Sequence, residues 1–351
     1  MKHALPNAAR IRIKDVAKHA RVSVGTVSHV LSGRIQVSAP LRARVQKSID
    51  ALGYVPNFHA QRLRHSLSRV VGLCLPHTST AYLNTLSQAF EEIASRNGYG
   101  VMHVFSRHDP ATELDRIKEL IHYRVDGLVL LPSAAPREAL DFAAKKDVPL
   151  VIVDRPTPDR RFDQVILDNR AAMREVAERL FALGHNRLLF VCRLRSRLVT
   201  QHRLAGLADA QKRHGVESAC IEFRNDDAFL RDELSRALRR KRPATALVVS
   251  NSHQASLVLR FMAELGITCP DELSVVGFDD PEWATLVRPA LSVVRQPAAA
   301  MVDAAWDLLM QRVSRVGGRT RTIALEATLE FRASVAARAV HDARVLSLRP
   351  R

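Results

Sequence analysis

From Arg69 to about Ala337 the chain alternates short β-branched runs with amphipathic helical stretches, and this period constrains the fold more than any other feature. Strands separated by helix-length segments pair in parallel, because a crossover helix carries the chain back to start the next strand in the same direction. Candidate strands are 70–75, 100–105, 127–131, 150–154, 188–192, 246–250 and 274–278. Gly184 and Gly266 stand where helical runs stop, as glycines following a helix C-terminus do. So many βα units exceed one sheet of usual size and predict two Rossmann-like lobes with a cleft between them. In open parallel sheets ligands collect at the carboxyl ends of the strands, which is where binding residues are to be sought.

The first seventy residues follow a different rule. IKDVAKHARVSVGTVSHVLSG reads as two short helices around a tight turn. Val16, Ala17 and Ala20 share one face of the first helix, and Asp15 sits in its first turn, where the helix dipole favours an anion. Ser23 is placed to cap the second helix, whose apolar stripe is Val27, Val30 and Leu31. Val24, Gly25, Ser28 and His29 are then expected to point away from that stripe, as the base-reading positions of a recognition helix do. A third helix follows, with Ser38 as its cap, Pro40 in its first turn, Leu41, Val45, Ile49 and Leu52 on one face, and Gly53 at its end. Residues 1–69 hold 13 Lys or Arg against Asp15 and Asp50, a surplus of 11 in a formal net charge of +17. A fifth of the chain thus has most of the imbalance, as expected of a segment that lies against phosphates.

Other function classes lack support. Gly98-Tyr99-Gly100 is the best dinucleotide fingerprint, but position 103 is His and the motif precedes a strand instead of following one. GxxxxGK[ST], GxSxG and HExxH are absent, so neither catalysis nor a bound cofactor has a motif to stand on. Cys74, Cys192, Cys220 and Cys269 lie far apart without metal-ligand spacing and read as buried free thiols. No apolar run approaches the roughly 20 residues that span a bilayer, and no signal peptide opens the sequence, so a cytoplasmic protein without a membrane partner is expected.

Ile13-Lys14-Asp15-Val16-Ala17, Val22-Ser23, Thr26-Val27-Ser28-His29-Val30-Leu31 and Gly53-Tyr54-Val55-Pro56-Asn57 closely resemble the DNA-binding head of the lactose-repressor (LacI/GalR) family of bacterial transcriptional regulators. By that resemblance Val24, Gly25 and His29 face bases, while Ser23, Thr26 and Ser28 contact phosphates. Arg12 departs from the family's capping Thr. The stretch 57–68, NFHAQRLRHSLS, matches the family's hinge helix, which folds on cognate DNA and wedges a Leu from each subunit into the minor groove. Leu63 takes the wedge position, with Ala60 one turn before it and Arg62 and Arg64 beside it. The resemblance implies a homodimer on near-palindromic operator DNA.

The likeness continues more loosely through Val71-Gly72-Leu73, Val125-Asp126-Gly127-Leu128, Val153-Asp154-Arg155, Asp168-Asn169, Leu183-Gly184-His185, Arg203-Leu204-Ala205-Gly206, Val275-Val276-Gly277-Phe278-Asp279-Asp280 and Val294-Arg295-Gln296. It implies an effector domain with the fold of periplasmic sugar-binding proteins, whose chain crosses between lobes near Asp168, Gln296 and Glu326. The implied organisation is a head at 1–56, a hinge at 57–69, an effector domain at 70–340 and a basic tail at 341–351. One lobe takes about 70–167 and 297–326, the other about 168–296 and 327–340. Effector-binding positions by the same resemblance are Tyr82, Arg197, Arg203, Asn251 and Asp279, with Phe229 a further candidate. Arg197 stands where purine-binding members have an effector-binding arginine, but Val199 stands where they have a threonine. Ser252 replaces an expected Asp and can still cap the helix that follows. The run Arg193, Arg195, Arg197 is a second departure, and if part of it lines the cleft an acidic effector is favoured.

Overall fold

A computed structural model describes residues 11–32, 37–54, 67–78, 80–215, 217–223 and 226–338. The chain divides into two compact units at Ser68/Arg69.

The first unit has helices α1 (Ile13–Ala20), α2 (Val24–Ser32) and α3 (Ala39–Leu52). Val16, Ala17, Ala20, Val27, Val45, Ile49 and Tyr54 form its buried core. Arg21 closes α1 in the left-handed region at φ 51°, which turns the chain sharply enough for α2 to start three residues later. Ser23 Oγ accepts the Thr26 N–H at 3.1 Å, the expected cap. At α1 the cap is half-built from the other side. Arg12 offers no side-chain cap, but Asp15 Oδ2 accepts the Arg12 N–H at 2.7 Å. Ser38 occupies the N-cap of α3 without a side-chain hydrogen bond, contrary to expectation, and Pro40 serves the first turn there instead.

The second unit is built on two six-stranded sheets. The first takes β1 (Val70–Leu75), β2 (Gly100–Phe105), β3 (Gly127–Leu130), β4 (Leu150–Asp154), β5 (Asp163–Leu167) and β11 (Thr322–Leu325), in the order β11-β5-β4-β3-β1-β2 and parallel throughout. The second takes β6 (Arg187–Cys192), β7 (Glu217–Glu222), β8 (Ala246–Val249), β9 (Ser274–Phe278), β10 (Ser292–Arg295) and β12 (Thr328–Glu330), in the order β12-β10-β9-β8-β6-β7. Only β12 runs antiparallel in it.

Helices cover both faces of each sheet, so central strands are apolar on both sides. In β1, Val71, Leu73 and Leu75 join the cluster with Leu86, Phe90, Trp306 and Leu309, while Cys74 points to the opposite cluster with Ile117 and Leu120. Those partners come from α4 (Ala81–Arg96), α5 (Pro110–His122) and α11 (Ala298–Val313), and α6 (Arg137–Lys145) adds Leu140. The second sheet packs against α7 (Asn169–Ala182), α8 (Leu198–His214), α9 (Asp227–Leu238) and α10 (Ser252–Glu264). Gly184 and Gly266 follow α7 and α10 at φ 88° and 70°.

The chain passes between the sheets three times: after β5, after β10 and between β11 and β12. The crossings lie side by side, since Leu167 pairs with Leu325, Asp168 N–H donates to Leu325 O at 2.8 Å, and Arg295 pairs with Thr328. Among the described residues no helix is long and apolar enough to cross a membrane.

Candidate nucleic-acid interface and ligand cleft

In the first unit α2 splits between core and surface. Gly25 and His29 are exposed, Thr26 and Ser28 are half-buried, and Ser23 is exposed with its hydroxyl engaged by Thr26. Val24 corrects the expectation of a purely outward residue: it is half-buried and packs on the bundle core with Val22, Val30 and Leu31. Arg12, Lys14, Lys18, Arg21, Arg42, Arg44 and Lys47 are exposed around the bundle. The small core thus fixes one helix edge while leaving cations and short polar side chains in solvent, as contact with a duplex groove and its phosphates requires. Ala60, Leu63 and Arg64 lie outside the described residues.

In the second unit a cleft of about 560 Å³ is lined from both sheets. The carboxyl end of β4 supplies Asp154 and Arg155, and the carboxyl end of β9 supplies Asp279. Both aspartates hold left-handed backbone, φ 69° and 70°, a conformation Asp and Asn tolerate far better than bulkier residues. Tyr82, from the first turn of α4, donates its hydroxyl to Asp154 Oδ1 at 3.1 Å and lines the cleft. Asp279 accepts Gln296 Nε2 at 2.7 Å and the Ser252 backbone N–H. Burial pushes both carboxyls up, opposed at Asp154 mainly by Arg155 and at Asp279 by Gln296 and Arg203.

Arg203 is held on every side. Its Nε donates to Asn169 Oδ1 and its Nη1 to Ser250 O, both at 2.7 Å, and its guanidinium lies 3.5 Å from the centre of the Phe278 ring. Burial lowers its pKa to about 10, which leaves it charged at neutral pH. Asn251 lines the cleft chiefly as the cap of α10, accepting Gln254 N–H at 2.8 Å. Ser252 is not the cap but the first residue of that helix, because Asn251 occupies the capping position. Phe229 is exposed on α9 and does not line the cleft; Phe223, at the end of β7, does. Of the basic run, Arg193 and Arg197 line the cleft, whereas Arg195 turns out to donate to Cys220 O at 3.2 Å.

Sequence reasoning singled out no role for His77, His108, Arg155, Gln254 or Gln296, all of which line the cleft. A signal existed for Asp154, Arg155 and Gln296, which stand at strand ends and in motifs shared with the family. None existed for His77 and His108. Two of the four cysteines also meet unexpectedly, Cys192 and Cys220 with sulfurs 3.4 Å apart on the paired strands β6 and β7. Among the described residues no group of three or more His, Cys, Asp or Glu could hold a metal.

His108 is driven from its ordinary 6.5 to about 3, by burial first and then by Arg155, Arg197, Arg193 and His77. His77, His103 and His185 are lowered too, each chiefly by burial. A ring with a depressed folded pKa takes up its proton more readily in the unfolded chain, so stability is full above 6.5 and is lost as pH falls from 6.5 toward the folded value. The melting temperature is therefore expected to drop between pH 7.5 and 5, with a shallower slope in His108→Gln. Equal slopes in the two proteins would show that His108 is not held neutral.

A family model described as bacterial regulatory proteins, lacI family, matches residues 12–57, and one described as a periplasmic binding protein-like domain matches residues 177–335. The chain is 30% identical over 344 residues to the HTH-type transcriptional regulator GalS of Salmonella typhimurium, covering 93% of this chain and 97% of that protein. It is 28% identical over 330 residues to the HTH-type transcriptional regulator KdgR of Bacillus subtilis, with 92% and 97% covered. Among solved structures, the lac repressor dimer bound to operator and the anti-inducer ONPF superposes with a TM-score of 0.84 at 24% identity, covering 93% of this chain and 99% of that one, a likeness of fold. The complex of the transcriptional regulator CelR with cellobiose gives a TM-score of 0.67 at 26% identity, with 93% and 100% covered. A helix-turn-helix head and a two-sheet binding domain, matched over nearly full length by transcriptional regulators, mean that this chain belongs to the lacI family of bacterial regulatory proteins.

Proposed function

We propose that the protein is a repressor that binds a near-palindromic operator as a homodimer and is controlled by a small polyhydroxylated effector seated in the cleft. The observation that carries this reading is that Asp154 and Asp279, at strand ends of the two sheets, line one cleft with Arg203 in a chain that also bears a cationic helix-turn-helix head. Charged acceptors and a fixed guanidinium suit hydroxyl groups, and they are drawn from both lobes, so a ligand bridging them favours one interlobe angle. That differential affinity is the coupling, because a ligand that bound both arrangements equally would shift nothing. CelR with cellobiose shows the same fold holding a sugar in a transcriptional regulator. The residues 57–69, with Leu63 as minor-groove wedge, Ala60 one turn before it and Arg62 and Arg64 beside it, relay the change to the head in this proposal.

The test is a selection of duplexes from a random pool by the full chain, followed by gel shifts of the selected site at several salt concentrations. Affinity is expected to fall steeply with salt, as it does when phosphate contacts dominate. His29→Ala is expected to relax preference at one base pair and to cost about 1 to 3 kcal/mol. Failure to select any sequence, with or without metabolite extract, would overturn the reading.

A further inference from the structure

The charges lining the cleft do not cancel. Arg155, Arg193, Arg197 and Arg203 face only Asp154 and Asp279 there. Asp154 Oδ2 lies 3.7 Å from Arg155 Nε, and the buried Glu113, which accepts the Ser133 N–H and hydroxyl, also acts on Arg155. Asp279 is the largest favourable charge acting on Arg203. Arg193 and Arg197 are left over. Arg193 makes no hydrogen bond or ion pair to a described residue. The Arg197 guanidinium has His108 Nδ1, 3.5 Å from Nη2, as its one hydrogen-bond partner among the described residues, its buried Nε unpartnered and Asp154, which also faces Arg155, the carboxylate acting on it.

Of the four buried polar atoms without a partner on cleft-lining residues, three are donors, and the fourth, Gln296 Oε1, is an acceptor. His108 Nδ1 faces N–H groups of both Arg155 and Arg197, so the ring proton belongs on Nε2, which is buried without a partner. Gln254 is 1% exposed and its Oε1 accepts from Ser250 and Asn251, leaving Nε2 a buried donor with nothing to bond. Arg197 also stands at the N-cap of the 17-residue α8 without capping it, and Val199 and Thr200 of its first turn line the same cleft. Arg193 and Arg197, both half-buried, outnumber the carboxylates left to offset them, and with three unpartnered donors against one acceptor and a helix N-terminus the lining favours acceptors and negative charge.

Resting on the effector-controlled reading above, we infer that the effector is an oxyanion-bearing sugar derivative whose carboxylate or phosphate sits on Arg193, Arg197 and His108, with its hydroxyl-bearing end toward Asp154, Asp279 and Arg203. An Arg pair matches either oxyanion through paired N–H donors. Arg195, turned away onto Cys220 O, is the internal control.

The test compares melting of the full wild-type chain, R195Q and the double variant R193Q/R197Q when inorganic phosphate replaces chloride at constant ionic strength. Phosphate is expected to raise the transition of wild type and R195Q, with an apparent affinity at least tenfold weaker in R193Q/R197Q. In chloride alone the double variant is expected to melt at or above the wild-type temperature, because two crowded cations are gone, so loss of the phosphate response cannot be put down to misfolding. Titrations with D-gluconate and D-glucose 6-phosphate then tell a carboxylate source from a phosphate one. Equal phosphate shifts in all three proteins, or none in wild type, would overturn the anion seat. Selected-duplex binding measured in the same samples separates the two failures: it persists if only the anion seat is wrong and is missing if the regulatory reading is.

Discussion

Asp279→Asn is expected to keep the protein folded and able to bind operator while weakening the effector response about ten- to a hundredfold. The substitution exchanges a charged acceptor for a neutral one of the same shape, and hydrogen bonds to a charged group contribute about 1.5 to 3 kcal/mol. Folding should hardly notice. The carboxyl is 7% exposed and burial already disfavours its charge, so a neutral isostere removes a desolvation cost as it removes an attraction to Arg203. Asn also tolerates the φ of 70° and keeps an oxygen for the Gln296 amide. Asp279→Ala should behave differently, losing stability because it strains left-handed backbone and strips Gln296 of its acceptor. Calorimetric titration with an effector found by screening, beside gel shifts with and without it, is the measurement. An undiminished response in Asp279→Asn would remove Asp279 from the binding residues.

Gly206→Ala is expected to produce the largest loss of stability of any methyl-sized change in the second unit. A Cβ built on Gly206 in α8 would lie 2.1 Å from Arg170 O and 3.0 Å from Arg174 N, both backbone atoms of α7. Side chains can rotate away from an intruder, but a helix backbone can only move as a whole. Overpacking of this kind costs about 1 to 3 kcal/mol and sometimes more. The change should also reach the cleft, because Arg203 sits one turn earlier on α8 and bonds Asn169 at the start of α7. A wild-type melting temperature in Gly206→Ala would mean that the two helices do not touch so closely.

How much of this was legible follows from which forces act locally. The strands 70–75, 150–154 and 274–278 could be read to the residue, because strands buried on both faces are unbroken apolar runs, and the edge strand 100–105 could be read because GVMHVF stays apolar although it is largely half-exposed. β7, ESACIE, and β11, TIAL, could not, because edge strands are half-exposed and their composition reflects solvent as much as pairing. In the head, periodicity found the core of α2 but placed Val24 too far outward, since a first-turn residue can still fold back onto a small bundle. In the cleft, Tyr82, Arg203 and Asp279 were reachable only through the family's motifs. His77 and His108 follow strands of the first sheet and meet Arg193 and Arg197, which follow β6 of the second, and no spacing along the chain could announce that.

The three adjacent crossings make the cleft a bivalve with one long ligament. Bending along that row of strands would open or shut the mouth, while twisting one half against the other would shear three backbones at once, so the connections favour a single angular coordinate. They also make the halves inseparable by severing any one of them: α11 and β11 belong to the first sheet yet arrive only after the chain has completed most of the second. A scissors cut after β5 would leave two fragments still clasped through the other two strands, so the wall bearing Asp154 and the wall bearing Asp279 stand or fall as one piece.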